Sequence, residues 1–175
     1  MNKAEKRRNK IIEILRKADA PTSASFLAEN LSVSRQIIVG DVAVLRAAGN
    51  EIYATPRGYL LGSRKPEPNY PYVGMVACKH GRDELREELY TIVDFGATVI
   101  NVIVEHPIYG QLTGDMYLSS RYEVDTMFVN AMEGDASLLC DLTGGVHLHQ
   151  IGCADEALFH LIEAELKKKG FLIES

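Results

Sequence analysis

The sequence predicts an α+β protein with an N-terminal winged helix-turn-helix and a C-terminal two-layer α/β sandwich regulatory domain. Three observations lead to this prediction. The first third shows three helical patterns followed by a hairpin pattern, residues 64–71 contain three prolines, and β-branched strands then alternate with amphipathic helices. We therefore expect a first domain over residues 1–65, an extended linker over 66–71 and a second domain over 72–175.

The charge of the chain changes sign across this linker. Residues 1–65 hold 12 Lys and Arg against 6 Asp and Glu, whereas residues 66–175 hold 7 against 18. A basic module suits an anionic partner such as DNA, and an acidic one is repelled by it. No apolar run is long enough for a membrane span, and no signal-peptide pattern follows the charged N-terminus. We therefore expect a cytoplasmic protein.

The three cysteines, Cys78, Cys140 and Cys153, are scattered and form no CxxC pair. Their odd number and irregular spacing fit a reducing compartment. The same spacing argues against a disulfide framework and against a thiolate zinc site.

The basic third has the order of elements of a helix-turn-helix followed by a wing. Apolar residues at helical spacing predict three helices, and the turn Pro56-Arg57-Gly58 separates two short strands. The predicted helices are 5–18, 22–31 and 35–48, and the predicted strands are 51–55 and 59–61. The competing interpretation is a small helical bundle that binds protein or nothing.

The first turn of the third helix is the expected DNA-reading segment. Arg35 and Gln36 suit guanine and adenine edges, and Arg57 at the wing tip suits phosphate or the minor groove. Gly40 weakens the helix, and Asp41 is acidic, so we expect recognition mainly through that first turn. The candidate DNA-binding residues are Ser34, Arg35, Gln36 and Arg57.

The acidic remainder predicts helices packed on a mixed sheet. Strands are expected at 72–79, 98–105, 109–118, 138–142, 146–151 and 171–174, and helices at 83–93, 120–132 and 154–169. The strands 138–142 and 146–151 are expected to form a hairpin across Thr143-Gly144-Gly145.

Two histidines in "GGVHLHQ" raise the question of a metal site. On a strand, His147 and His149 point to the same face. Glu88 lies at the edge of an apolar helical stripe, where a carboxylate needs a partner, and His80 precedes that helix. The residues alone leave two interpretations open, a metal site and histidines scattered on a sheet edge. They also leave zinc, nickel, iron and cobalt open. His160, in the last helix, is expected to be structural or on the surface.

Two known families resemble the two halves of the chain. The stretch from "LAENLSVSRQIIVGDVAVLRAAG" to "ATPRGYLL" resembles the winged helix-turn-helix of biotin-repressor-like regulators, although Gly40 departs from the usual basic or polar residue. Residues 73–174 resemble the three-histidine domain of the niacin-responsive repressors, the NiaR family. The matching stretches are "VACKHGRDELREELYTIVDFGATVINVIVEHPIYGQLTG", "GGVHLH" and "ELKKKGFLIE".

This resemblance implies a site, an effector and a function. In the family, one divalent metal (nickel, zinc or iron) is held at the positions of His80, Glu88, His147 and His149. His106 is the remaining family histidine, and with Tyr109 it is our candidate for effector contacts.

The implied function is a homodimeric repressor on palindromic DNA, with nicotinic acid as co-repressor, that acts on genes of NAD biosynthesis and niacin uptake. The alternatives are a metal-responsive regulator and, with no GxSxG motif to support it, a metal-dependent hydrolase. We expect no enzyme.

Overall fold

The chain folds into two compact units, Met1–Glu67 and Pro68–Ser175. The computed structural model describes residues 2–62, 69–133 and 137–173. Half of the predicted linker, residues 66–68, therefore lies outside the described residues. Within the described residues, no helix has the length and apolar character needed to cross a membrane.

The elements follow the predicted order, with two exceptions described below. The helices are α1 (Lys3–Lys17), α2 (Ala24–Leu31), α3 (Arg35–Ala47), α4 (Leu85–Asp94), α5 (Arg121–Glu133) and α6 (Glu156–Lys168). The strands are β1 (Ile52–Thr55), β2 (Gly58–Leu61), β3 (Tyr72–Lys79), β4 (Thr98–His106), β5 (Gly110–Leu118) and β6 (Val146–Cys153). Short 3-10 helices cover Arg82–Glu84 and Leu139–Thr143.

The N-terminal unit is a three-helix bundle with a β-hairpin wing. Its apolar core comes from all three helices and from the first strand, and includes Ile11, Leu27, Ile38 and Ile52. The wing, β1 and β2, is antiparallel. It is tied to the segment before α2 by two backbone hydrogen bonds between Thr22 and Tyr59, of 2.9 and 2.8 Å. The predicted winged helix-turn-helix is confirmed.

The third helix turns Asp41 inward. Its carboxylate is buried and accepts hydrogen bonds from the Arg7 guanidinium, at 2.5 and 3.2 Å, and from Arg8, at 3.4 Å. The acidic residue noted in the sequence therefore joins α3 to α1. Gly40, by contrast, is exposed, and an added Cβ would meet nothing within 4 Å.

The C-terminal unit is a four-stranded sheet in the order β3-β6-β4-β5. Every strand pairing is antiparallel, so the expectation of a mixed sheet is wrong. Side chains of α4, α5 and α6 pack with the strands into one core. Gly74 on β3 shows which face is covered, because a Cβ there would lie 2.2 Å from the Phe159 ring of α6.

Two predicted strands of this unit are wrong. Residues 138–142 lie largely in the 3-10 helix Leu139–Thr143, so β6 has no hairpin partner there. The Asp141 carboxylate accepts from the Leu138 backbone N–H at 3.0 Å, and Gly144 ends the turn at φ 62°. This local capping favours a helical turn over an extended strand. Near the C-terminus, an isolated bridge between Leu172 and Cys78 replaces the predicted strand 171–174, whose last residue lies outside the described part.

Candidate metal centre

The four side chains predicted as metal ligands lie together in the core of the C-terminal unit. The Nε2 atoms of three imidazoles approach a single carboxylate oxygen of Glu88. Their distances to Glu88 Oε2 are 2.6 Å for His80, 3.1 Å for His147 and 3.5 Å for His149. The relative exposures of the four residues are 8% for His80, 0% for Glu88, 1% for His147 and 0% for His149. Four polar side chains in a core need partners for every donor and acceptor.

The alternation of β6 places its two histidines on the covered face. His147 lies opposite Cys78 in the register of β3 and β6, and His149 lies opposite Val76. Both partners are buried on the side that the helices cover. The "HLH" spacing therefore produces a pair of inward imidazoles, as expected from a strand with a period of two.

The Gly-Gly turn before β6 lets the backbone bring His80 to the same place. Gly145 has φ +93°, and a Cβ there would lie 2.3 Å from the carbonyl oxygen of His80. The His80 backbone N–H also donates to the Gly145 carbonyl, at 3.4 Å. Only glycine permits both this conformation and this approach.

The other ring nitrogen of each histidine faces a backbone carbonyl. The Nδ1 distances are 3.0 Å from His80 to Gly81 O, 2.9 Å from His147 to Gly145 O and 2.7 Å from His149 to Asn101 O. Because a carbonyl oxygen only accepts, each Nδ1 carries the proton. In the neutral ring, Nε2 then carries a lone pair that a cation could bind, whereas the Glu88 carboxylate, 2.6 Å from Nε2 of His80, accepts a hydrogen bond only from a protonated ring. This carbonyl-fixed tautomer is the usual second-shell arrangement of metal-binding histidines.

The charges of the cluster are strongly coupled. Burial alone would raise the pKa of Glu88, but the His149, His147 and His80 imidazoles outweigh it and hold that pKa well below its usual value. Burial likewise opposes protonation of His80 and His149, and the Glu88 carboxylate overcomes it, so both pKa values are raised. The site therefore favours positive charge beside the carboxylate.

One nitrogen in the cluster has no hydrogen-bond partner among the described residues. It is Nε2 of His149, which is fully buried and lies 3.5 Å from Glu88 Oε2. An orphaned buried acceptor in a native core calls for an explanation. A divalent cation bound by the three Nε2 atoms and by Glu88 would supply one, and imidazole and carboxylate are donors that transition metals accept. The residues therefore fit a metal.

Sequence reasoning missed Cys78. This thiol has a relative exposure of 0%, and its Sγ, a Glu88 oxygen and a His147 nitrogen lie within 4.8 Å of one another. Burial and then the Glu88 carboxylate raise the pKa of Cys78, so the thiol is neutral without a cation. The usable signal was its position in "VACKH", two residues before His80 on a strand facing inward. Cys78 has no CxxC partner, so a motif of paired thiols does not identify it.

His106 and Tyr109 do not join this cluster. They stack at the turn between β4 and β5, with ring centroids 4.9 Å apart and planes 28° apart. Nδ1 of His106 accepts from the backbone N–H groups of Ile108 and Tyr109, at 3.2 and 3.3 Å. His106 therefore shapes this turn, and Tyr109 is 73% exposed. His160 lies on the surface of α6 between Glu156 and Glu163.

The DNA-binding candidates occupy two places in the N-terminal unit. Ser34 is the N-cap of α3, where its hydroxyl accepts from the Ile37 backbone N–H at 3.3 Å. Arg35 and Gln36 follow in the first turn, and both are exposed. Arg57 is exposed in the turn of the wing. The structure thus adds a capping role for Ser34 to its predicted one.

Comparisons with known proteins agree with this architecture. Residues 7–60 match a helix-turn-helix domain family, and residues 73–175 match the 3H domain family. The chain is 47% identical over 171 residues to a probable transcription repressor NiaR of Thermotoga maritima, covering 97% of this chain and 95% of that protein. It is 35% identical over 168 residues to the transcription repressor NadR of Bacillus subtilis, covering 96% and 93%.

A third match is more distant and partial. It is an uncharacterized protein of Methanothermus fervidus, 31% identical over 106 residues that cover 56% of this chain and 16% of that protein. The two nearly full-length matches are to named transcription repressors, and both halves of the chain take part. This makes the protein a DNA-binding regulator and overturns the hydrolase alternative. The chain belongs to the family of NiaR- and NadR-type transcription repressors, which join a helix-turn-helix to a 3H domain.

Proposed function

We propose that this repressor binds one divalent transition metal through His80, Glu88, His147 and His149 and uses nicotinic acid as its co-repressor. The observation that carries the metal part is the approach of three imidazole Nε2 atoms to Glu88 Oε2, while each Nδ1 faces a carbonyl. The nicotinic acid part rests on the resemblance to niacin-responsive repressors. Nickel, zinc and iron all suit this donor set.

The metal would supply a fixed positive charge in the core of the domain. Such a charge would neutralise the Glu88 carboxylate and attract an anionic effector such as a pyridine carboxylate. His106 and Tyr109 offer a second contact. The exposed, stacked Tyr109 ring is a flat surface on which an aromatic ring can pack.

We propose that the protein acts as a homodimer on palindromic operator DNA in the cytoplasm, at genes of NAD biosynthesis and niacin uptake. Two-fold symmetry places one recognition helix in each half-site. Ser34, Arg35 and Gln36 would meet base edges and Arg57 the backbone or the minor groove. The co-repressor must bind the DNA-competent arrangement more tightly, since a ligand shifts an equilibrium only through differential affinity.

The metal site is tested by a double variant, His147→Ala with His149→Ala. We expect elemental analysis of the purified full chain to show about one metal ion per chain for wild type and a near-complete loss in the variant. His160→Ala is the matched control, because His160 is an exposed histidine on the same domain. Full metal content in the double variant would reject the assignment.

The effector is tested by calorimetric titration of nicotinic acid into the metal-bound and the chelated protein. Binding that requires the metal supports an effector at or beside the cluster. Binding in both forms would leave the metal a structural role. Absence of binding in both forms would remove nicotinic acid and leave a repressor with another signal.

A second candidate function is a repressor for which the metal itself is the signal. The observation that favours it is the origin of the donors, because one ion would tie together α4, β6 and the segment after β3. Operator affinity measured with metal alone separates the two candidates. A change of tenfold or more without nicotinic acid would favour the metal as signal, and about tenfold corresponds to ~1.4 kcal/mol.

A further inference from the structure

We propose that Cys78 is a further ligand of this metal centre, contributing a thiolate that makes it a nitrogen, oxygen and sulfur site for a thiophilic divalent ion. The proposal rests on the proposed metal site and extends it to a residue type outside the three-histidine pattern.

The geometry of the sheet carries the first step. Cys78 lies opposite His147 in the register of β3 and β6, so their side chains point to the same covered face. Its Sγ, a Glu88 oxygen and a His147 nitrogen lie within 4.8 Å of one another. Donors bound to one zinc-like ion at about 2.0–2.3 Å cannot lie more than about 4.6 Å apart. The three atoms lie within 4.8 Å of one another, and this bound is only slightly above that limit, so their arrangement is compatible with a single ion.

The second step compares the surroundings of Cys78 with those of the other buried cysteines. A buried free cysteine is usually a small apolar side chain, and all three cysteines here are buried and free. Cys153 lies at the far end of β6, where its thiol donates to the Asp155 carbonyl at 3.4 Å. Within the described residues, the thiol of Cys78 is the one placed among candidate ligand atoms.

An independent observation points to a cation at the same place. Nε2 of His149 is fully buried and has no hydrogen-bond partner within the described part of the chain, and it faces the same Glu88 carboxylate. A cation would satisfy this nitrogen and stabilise the thiolate together. When the metal–sulfur bond forms, the thiol proton leaves to solvent, and no electron is transferred.

Sulfur ligation has a consequence for metal choice. Thiolate is a soft donor that favours ions such as Zn²⁺ and Co²⁺ over oxygen-preferring ions such as Mn²⁺. Cys78 would therefore act as a specificity-determining ligand. Without it, the three imidazoles and the carboxylate would still bind metal, with less discrimination.

The test is optical spectroscopy of the full chain reconstituted with Co²⁺. A cobalt–thiolate bond gives an intense sulfur-to-metal charge-transfer band in the near ultraviolet. We expect the band in wild type, its loss in Cys78→Ser, and its retention in the matched control Cys153→Ser. Competition titrations should show Zn²⁺ affinity falling about tenfold or more in Cys78→Ser, with a smaller change for Mn²⁺.

Each other outcome overturns one specific statement. Wild-type protein that fails to bind Co²⁺ overturns the proposed metal site itself. Stoichiometric Co²⁺ without the band overturns sulfur ligation and leaves the site intact. A band that survives in Cys78→Ser assigns the sulfur to another cysteine. An equal loss of affinity for Zn²⁺ and Mn²⁺ would make Cys78 a positioning residue for Glu88.

A measurement on wild type keeps the proposal testable should Cys78→Ser fail to fold. X-ray absorption at the zinc edge of the Zn²⁺-loaded full chain should show one sulfur at about 2.3 Å beside nitrogen and oxygen at about 2.0–2.2 Å. A first shell of nitrogen and oxygen alone would overturn the proposal.

Discussion

Two neighbouring glycines allow a sharp test of how the centre is built. Gly144 and Gly145 both have positive φ, at +62° and +93°, so alanine at either position carries backbone strain of about 1–2 kcal/mol. Their surroundings differ. A Cβ at Gly144 meets nothing within 4 Å, whereas one at Gly145 lies 2.3 Å from the carbonyl oxygen of His80.

The size of the expected shift follows from that contact. Real Cβ atoms essentially never approach another heavy atom closer than 3.0 Å, so Gly145→Ala must separate the two groups by at least 0.7 Å, the difference between 3.0 and 2.3 Å. Metal–ligand distances tolerate about ±0.2 Å. A change of that size in the separation of Gly145 and His80 exceeds what the proposed metal centre would accept.

The assay is metal affinity by competition with a chromophoric chelator, together with the stability of the metal-free protein. We expect both variants to lose stability, Gly145→Ala more than Gly144→Ala. Metal affinity should fall by about ten- to a hundredfold in Gly145→Ala, as when a supporting residue of a metal site is lost. It should change by about twofold or less in Gly144→Ala. Equal affinities in the two variants would refute the claim that the Gly145 contact positions His80.

Three further predictions concern the rest of the molecule. Gly40→Ala should raise the unfolding free energy of the N-terminal unit by ~0.5–1 kcal/mol, because the position is helical, exposed and open. A lower urea midpoint for the N-terminal transition of the full chain would contradict this. Arg35→Ala should weaken binding to a duplex selected by the wild-type protein by ~1–3 kcal/mol and relax preference at one base pair. Unchanged affinity would place recognition elsewhere. In the metal-free protein, the lowered pKa of Glu88 gives stability above its unfolded pKa that is lost as pH falls through the folded value. The raised pKa values of His80 and His149 give stability below ~6.5 that is lost as pH rises through the folded values. A thermal scan should therefore show a maximum at mildly acidic pH, and a melting temperature rising steadily to alkaline pH would contradict the coupling.

Much of the fold and of the candidate site follows from local patterns in the sequence. The inward pair His147 and His149 follows from strand alternation, and Glu88 from its place beside an apolar helical stripe. Both patterns depend on neighbours within a few residues. For the same reason, "SRQ" at the start of α3 could be placed in the first turn of a recognition helix.

The features that the sequence did not predict depend on contacts between residues far apart in the chain, or on short runs whose composition suits either a strand or a helical turn. Cys78 joins the cluster only through the pairing of β3 with β6, a register that alternation cannot supply. Asp41 places an acidic side chain on a helix that we expect to contact DNA. Its role becomes clear only from the contact with Arg7 of α1, which the sequence does not predict. The mainly apolar run 138–142 has the composition of a strand, but the hydrogen bond from the Leu138 backbone N–H to the Asp141 carboxylate favours a 3-10 turn.

The complete burial of Glu88, His147 and His149 has a kinetic consequence. Direct access of a chelator to a metal bound among them would require a local opening of the domain, so we expect the exchange rate of such a metal to be limited by the frequency of that opening. A metal that exchanges only through such openings would equilibrate slowly with the surrounding solution. Where that exchange is slower than changes in effector concentration, the proposed metal acts as a fixed part of the repressor, and the effector is the ligand that reports the change.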